Sequence, residues 1–292
     1  MSVAAMLGHL LLERLSLREL QRIPEPHMTM DDPAQVDAFW ESGSAAGLLA
    51  PIYLFNALQT ARVIRPGDQV LDLACGPGNQ LVQFARLHPQ ARFLGIDQAP
   101  AMIDRARQTV ARSGVRNVSL QTGDMNSLTD LADASVDCVT CTFSFHHLPD
   151  QGCLQRAFAE AARVLKPGGG IYVCDFGRLK RRSSQTYFVH ERRELQSELF
   201  TQDYLNSLRA AFSLGELTRA AAPLGAGVGI HQTAVAPFMV VLSRPTQAAT
   251  SIETIERGVK MHAELSSEQQ RDLRNLSRWF GIGGLPMPLD VG

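Results

Sequence analysis

The sequence predicts an α/β fold: a doubly wound, seven-stranded, mostly parallel sheet with an antiparallel last strand. Three observations carry this. From residue 66 onward, short β-branched or apolar runs alternate with longer helical stretches, the rhythm of parallel strands joined by crossover helices. Right-handed crossovers then place helices on both faces of the sheet. Finally, the runs at 228–234 and 238–242 are separated only by Val235-Ala-Pro237, too little chain for a crossover, so they close as an antiparallel hairpin.

The elements follow in order. Residues 1–65 read as an N-terminal helical cap, broken at Ile23-Pro-Glu-Pro26. Residues 66–245 read as the sheet domain. Its strands are expected at 69–74, 92–97, 118–122, 136–143 and 170–175, with helices at 79–87, 99–113 and 154–165. Residues 178–212 break the rhythm as a charged helical insert, and 214–222 is a further helix before the hairpin. Residues 246–292 form a helical C-terminal extension ending in a Gly/Pro-rich stretch.

With 292 residues, 45% of them hydrophobic, and a formal net charge of −1, the chain lacks the broad basic face of a nucleic-acid binder. A small-molecule partner is expected, with no nucleic acid and no membrane; a homodimer through the tail stays open. Five cysteines at irregular spacing do not make a disulfide framework and fit a reducing, cytoplasmic setting. Cys138 and Cys141 lie three apart on a strand, so they face opposite ways and share no metal. No metal is expected. Met6–Leu12 is apolar, but Glu13 and Arg14 follow directly and no cationic stretch precedes it, so it reads as a docking helix rather than a secretory signal.

The chemistry concentrates at predicted strand ends. Asp72-Leu-Ala-Cys-Gly-Pro-Gly78 leaves the first strand and opens a helix. Glycine lets backbone approach a ligand closely, and the helix start offers free N–H groups. Such a loop suits the phosphates of a dinucleotide or the amino-acid end of S-adenosylmethionine. The dinucleotide pattern needs a third glycine where this chain has Leu81, and a Walker loop needs Gly-Lys-Ser/Thr, which is absent. Asp97 ends the second strand, where a carboxylate accepts from a ribose diol. Gly123-Asp124-Met125 follows the third strand, with an acceptor for an adenine amino group and an apolar side chain for the ring. The fourth strand leads into Ser144-Phe-His-His147, and Leu165-Lys-Pro-Gly168 precedes the fifth.

In this order and spacing, the stretch from about 66 to 176 resembles the core of class I, Rossmann-like, S-adenosylmethionine-dependent methyltransferases. The matching residues are Asp72-x-Ala-x-Gly76-x-Gly78, Asp97, Gly123-Asp124, His146-His147-Leu-Pro-Asp150 and Leu165-Lys-Pro-Gly168. Ala74 departs from the pattern, standing where many members have glycine, and its side chain is tolerated if the backbone there is not at positive φ. The resemblance implies S-adenosylmethionine as cofactor. It places Asp72, Ala74, Cys75, Gly76 and Gly78 near the amino-acid end, Asp97 at the ribose, and Gly123, Asp124 and Met125 at the adenine, with Gln98 and Met102 also among the cofactor-binding residues. Thr142 and Phe143 fall beside the sulfonium.

His146 and His147 stand where a methyl acceptor approaches. Either is a candidate to take up its proton, or both simply shape the pocket. Arg178, with Lys180, Arg181 and Arg182, follows the fifth strand and is a candidate for an acidic group on the acceptor; Tyr53 and Tyr187 are further substrate candidates. The implied reaction is in-line methyl transfer to a small molecule, in which the protein mainly aligns donor and acceptor. Two alternatives remain: other chemistry on the same cofactor, such as cyclisation or aminocarboxypropyl transfer releasing methylthioadenosine, or a non-catalytic scaffold on this fold.

Overall fold

The computed structural model describes residues 3–290. In chain order its elements are α1 (Val3–Leu15), α2 (Pro33–Ser42), α3 (Ala50–Gln59), β1 (Gln69–Leu73), α4 (Asn79–Leu87), β2 (Arg92–Asp97), α5 (Pro100–Ser113), β3 (Val118–Thr122), β4 (Val136–Thr142), α6 (Gln151–Val164) and β5 (Leu165–Phe176). They continue as α7 (Arg182–His190), α8 (Glu198–Ala210), α9 (Leu214–Ala220), β6 (Gly229–Gln232), β7 (Met239–Arg244), α10 (Ile252–Ala263) and α11 (Ser267–Ile282). The seven strands form one sheet in the order β3-β2-β1-β4-β5-β7-β6. The first five pair in parallel, and β7 runs antiparallel to both β5 and β6.

Strand alternation builds a core on each face. Val70 and Cys138 point into one hydrophobic cluster, while Leu71, Leu73, Val139 and Cys141 point into the other. Cys138 and Cys141 therefore lie on opposite faces, as the strand period requires. The apolar positions Leu154, Ala157, Phe158, Ala161 and Val164 make one buried stripe on α6, and the Asp150 carboxylate caps that helix by accepting from Cys153 N–H at 2.8 Å. β5 begins at Leu165, five residues earlier than the sequence predicts. Leu165 pairs with Val136, and a register shift then lets Gly170 pair with Cys138.

The helices outside the sheet domain pack onto it. Phe280 of α11 stacks on Phe55 of α3 at 4.9 Å, joining the tail to the same core as β1. A buried polar chain ties α3 to the sheet and α4. Tyr172 O–H donates to Asn56 (2.8 Å), Asn56 to Gln80 (2.9 Å), and Gln80 to the Tyr53 carbonyl (3.0 Å). Each member thus has its partner, as burial demands. On the other side, Arg105 of α5 pairs with Asp37 and lies over the Trp40 ring of α2 at 4.4 Å. No helix among the described residues is long and apolar enough to cross a membrane.

Candidate active site

β1 and β4 are neighbours from which the chain leaves in opposite directions across the sheet, the switch point where open α/β sheets bind ligands beyond their carboxyl ends. A cavity of about 1120 Å³ opens there. Sites for one small ligand usually measure roughly 300–1,000 Å³, so this one has room for two.

The loop leaving β1 turns through three left-handed residues, Ala74 (φ 50°), Gly76 (φ 54°) and Gly78 (φ 82°). Asp97 fixes that turn: its Oδ2 accepts from Gly76 N–H and its Oδ1 from Ala99 N–H, both at 2.9 Å. Burial, with Asp31 nearby, pushes the Asp97 carboxyl above its ordinary range. Across the cavity floor, Asp124 Oδ1 accepts from the backbone N–H of Asn126 at 2.8 Å and from its side-chain amide at 3.2 Å. Asp124 and Met125 both line the cavity, and Met125 also packs on the second core cluster.

The opposite end is aromatic and carries the histidines. Phe143, itself at φ 52°, lies 5.0 Å from the Phe176 ring, which in turn meets Tyr204 and Phe238. His146 is buried, and its Nδ1 lies 2.6 Å from Asp175 Oδ1 at the end of β5. The His147 ring lies against it, tilted, with centroids 4.4 Å apart. Burial, then His146 and Arg22, holds the His147 imidazole well below its ordinary range. Arg22 clamps this turn from the N-terminal segment, donating to the carbonyls of His146 (2.8 Å), Leu148 (2.5 Å) and Pro149 (2.6 Å), and to Ala210 (2.6 Å).

Residues 70–169 match the model of the family described as a methyltransferase domain. This stretch, about a third of the chain, is a methyltransferase domain. Over 108 residues, 37% of this chain and 30% of the relative, it is 39% identical to an uncharacterized 37.1 kDa protein in transposon TN4556 of Streptomyces fradiae. Over 142 residues, 48% of this chain and 51% of the relative, it is 35% identical to a demethylmenaquinone methyltransferase of Deinococcus radiodurans. The chain thus spans about half, or less, of these curated relatives. The crystal structure of a SAM dependent methyltransferase from Aquifex aeolicus aligns with a TM-score of 0.53 and 20% identity, over 73% of this chain and 97% of that one. At that identity the likeness is one of fold.

Most of the residues singled out in the methyltransferase domain meet at the cavity. Ala74, Cys75, Gly76, Asp97, Gln98, Met102, Gly123, Asp124, Met125, Thr142, Phe143, His146 and His147 all line it, as does Tyr53 from α3. Asp72 does not. It lies beneath the loop, 2% exposed, accepting from Thr140 O–H at 2.6 Å, and burial pushes its carboxyl up to about 7. Gly78 also stands off the wall; a side chain there would meet Ala106 of α5 at 3.2 Å, so it serves loop and helix packing. Arg178 is a correction. The chain at 178 runs beside 212, and its guanidinium turns to the Ala211 carbonyl and to Glu216 at 2.6 Å, away from the cavity. Lys180 likewise reaches the Ser16 carbonyl. Tyr187 is a second correction: it stacks on His9 at 4.4 Å, while Phe188, one step round α7, faces the cavity.

Ala74 departs from expectation too, because its φ is positive. A left-handed alanine costs about 1–2 kcal/mol, and the added freedom of an unfolded glycine offsets roughly 0.4–1 kcal/mol of that. Ala74→Gly is therefore expected to raise the thermal midpoint by about 1–3 °C, read by a calorimetric melt. A lower midpoint would mean the methyl group packs better than the strain costs.

Several wall residues carry no sequence signal. Asp203 and Tyr204 come from α8, and Asp272 and Trp279 from α11; Glu25, from the irregular segment after α1, is not on the wall but lies close to His146 and His147, which are. Glu25, His146 and His147 bring their ligand atoms within 4.8 Å of one another. Asp175, which holds His146, stood only in a strand run whose apolar neighbours hid its role.

Proposed function

We propose that this protein transfers a methyl group from S-adenosylmethionine to a small, largely apolar acceptor. The observation that carries the proposal is the division of one cavity: a glycine turn with Asp97 and Asp124 at one end, and an aromatic chamber with two histidines at the other. The residues fit the cofactor. Left-handed Gly76 leaves backbone open toward the amino-acid end, Asp97 keeps acceptor lone pairs for a ribose diol, and Asp124 with Met125 suits the adenine. Cys75, Gln98, Met102 and Gly123 complete that wall, and Thr142 and Phe143 stand between it and the chamber. Asp72 supports the loop from beneath.

Bound there, the cofactor supplies an electrophilic methyl group with a neutral thioether as leaving group. The chain's task is alignment and exclusion of water. Phe143, Phe176 and Tyr204 present an apolar, ring-binding surface to the acceptor, with the His146-His147 turn beside it. The cap at 1–65, the insert at 178–212 and the extension at 246–292 roof the chamber and set which acceptor enters. The demethylmenaquinone methyltransferase relative supports an acceptor of ring type. The near-neutral charge favours a small molecule over nucleic acid, and five free, buried cysteines favour a reducing, cytoplasmic setting.

The test is calorimetric titration with S-adenosylmethionine, followed by incubation with hydroxylated aromatic and quinol acceptors and mass spectrometry of both products. Release of S-adenosylhomocysteine with an acceptor heavier by one methyl group is expected. Methylthioadenosine would move the reaction to the aminocarboxypropyl arm, and absence of cofactor binding would overturn the proposal.

A further inference from the structure

We propose that Glu25, His146 and His147 form a binding site for a divalent transition-metal ion, at the acceptor end of the cavity. Three observations converge. The first is the donor set: two imidazoles and one carboxylate, from segments far apart in sequence, have their ligand atoms within 4.8 Å of one another, and both imidazoles line the cavity. Donors about 2.1 Å from a tetrahedral ion lie roughly 3.4 Å apart, so the widest pair, within 4.8 Å, must close by up to about 1.4 Å. Glu25 sits in an irregular stretch between α1 and α2, where that shift disturbs no helix or strand.

The second observation is the support behind His146. Its Nδ1 is engaged by the buried Asp175 carboxylate at 2.6 Å, which leaves Nε2 as the free ring nitrogen and fixes the ring plane. A carboxylate behind the imidazole is the usual support of a metal-ligating histidine, orienting it and raising its basicity. Asp175 is itself held, accepting from the backbone N–H of His146 (3.1 Å) and of Phe176 (2.7 Å). No hydrogen bond from the described residues reaches the ring of His147, so its nitrogens are not committed elsewhere.

The third is a missing charge. Glu25 is a half-buried carboxylate whose hydrogen bond comes from the Ser207 hydroxyl at 3.0 Å, with no lysine or arginine paired to it among the described residues. The nearby Arg22 spends its guanidinium on four backbone carbonyls. A carboxylate withdrawn from water without a cation is costly, and a bound divalent ion supplies that charge. Two imidazoles with one carboxylate suit zinc, cobalt, nickel or ferrous iron better than the all-oxygen preference of magnesium or calcium. With His146 and His147 on the cavity wall, an ion held there would leave a coordination position for an oxygen or nitrogen of the acceptor and make it easier to deprotonate. That role rests on the methyl-transfer proposal; occupancy of the site does not.

The test uses the full-length chain, stripped with a chelator and titrated with zinc against a chromophoric competitor, and with cobalt by visible absorption. One equivalent of metal and cobalt ligand-field bands are expected. Glu25→Gln and His147→Gln should each weaken zinc binding by about 100-fold or more, and Asp175→Asn by roughly 10- to 100-fold. S-adenosylmethionine titration of Glu25→Gln, expected to match the parent protein, checks that the variant is folded. Zinc bound equally well by the parent and both ligand variants, or cobalt without ligand-field bands, would overturn the site. Loss of cofactor binding by the parent protein would overturn the methyl-transfer proposal while leaving the metal result standing.

Discussion

Replacing Asp97 with alanine is expected to weaken S-adenosylmethionine binding by about 10²- to 10³-fold, the largest loss from any single change on the cofactor side. Asp97 acts twice. Its two oxygens accept from Gly76 N–H and Ala99 N–H, so it holds the glycine turn and the start of α5 in one frame. Its remaining lone pairs are proposed to take the ribose diol. Hydrogen bonds to a charged acceptor contribute roughly 1.5–3 kcal/mol each, and losing the ribose contacts together with the frame reaches the stated range. Asparagine is the informative partner substitution. It keeps the size but has one accepting oxygen, so its amide N–H₂ must face one of the two backbone N–H groups. Asp97→Asn should therefore fall close to alanine rather than close to aspartate. Calorimetric titration reads both variants. Affinity within a few fold of the parent protein for both would mean that Asp97 is only a turn residue.

The sheet was legible because its signals are local. β-branched runs, glycine turns and helix caps each act over a few residues, and their alternation dictates topology. The loop at 72–78, Asp97 and Asp124 were legible for the same reason, since each lies at the end of a strand the sequence marks. What failed were inferences about direction. Arg178 follows β5 on the cavity side, but the neighbouring strand of chain at 211–212 and the carboxylate of Glu216 capture it. Tyr187 and Phe188 differ by one helical step, and nothing in the insert's sequence says which of them faces inward. The φ of Ala74 was hidden because alanine, unlike glycine, does not advertise a left-handed turn. The roof was the least legible. Phe39, Tyr204 and Trp279 reach the cavity only through tertiary packing of α1 to α3, α8 and α11, and no periodicity encodes where those helices dock. Asp175 sits between these cases. A carboxylate ending an apolar strand needs a partner, and the His-His turn after β4, its neighbour in the sheet, was the one to look for.

Arg22→Ala should cost about 3–5 kcal/mol of stability and more than a tenfold loss of turnover, though Arg22 is expected to touch neither cofactor nor acceptor. Its guanidinium reaches four carbonyls in two separate segments, the turn at 146–149 and the end of α8, and lies over the Phe212 ring at 4.0 Å. Each charged hydrogen bond contributes roughly 1.5–3 kcal/mol, not additively, and removing the donor strands carbonyls that face a partly buried interior. Lysine keeps the charge but has a single nitrogen, which cannot serve two segments at once. Arg22→Lys should thus recover part of the stability and little of the turnover. The split between kinetic parameters separates positioning from general damage. Cofactor affinity depends on the loops after β1, β2 and β3 and should stay within a few fold, while kcat falls because the His146-His147 turn is no longer held against the chamber. Equal losses of cofactor affinity and kcat would mean that Arg22 supports the fold as a whole. Loss of kcat alone would mean that a residue from the N-terminal segment, outside the matched domain, sets the geometry at which the acceptor meets the methyl group.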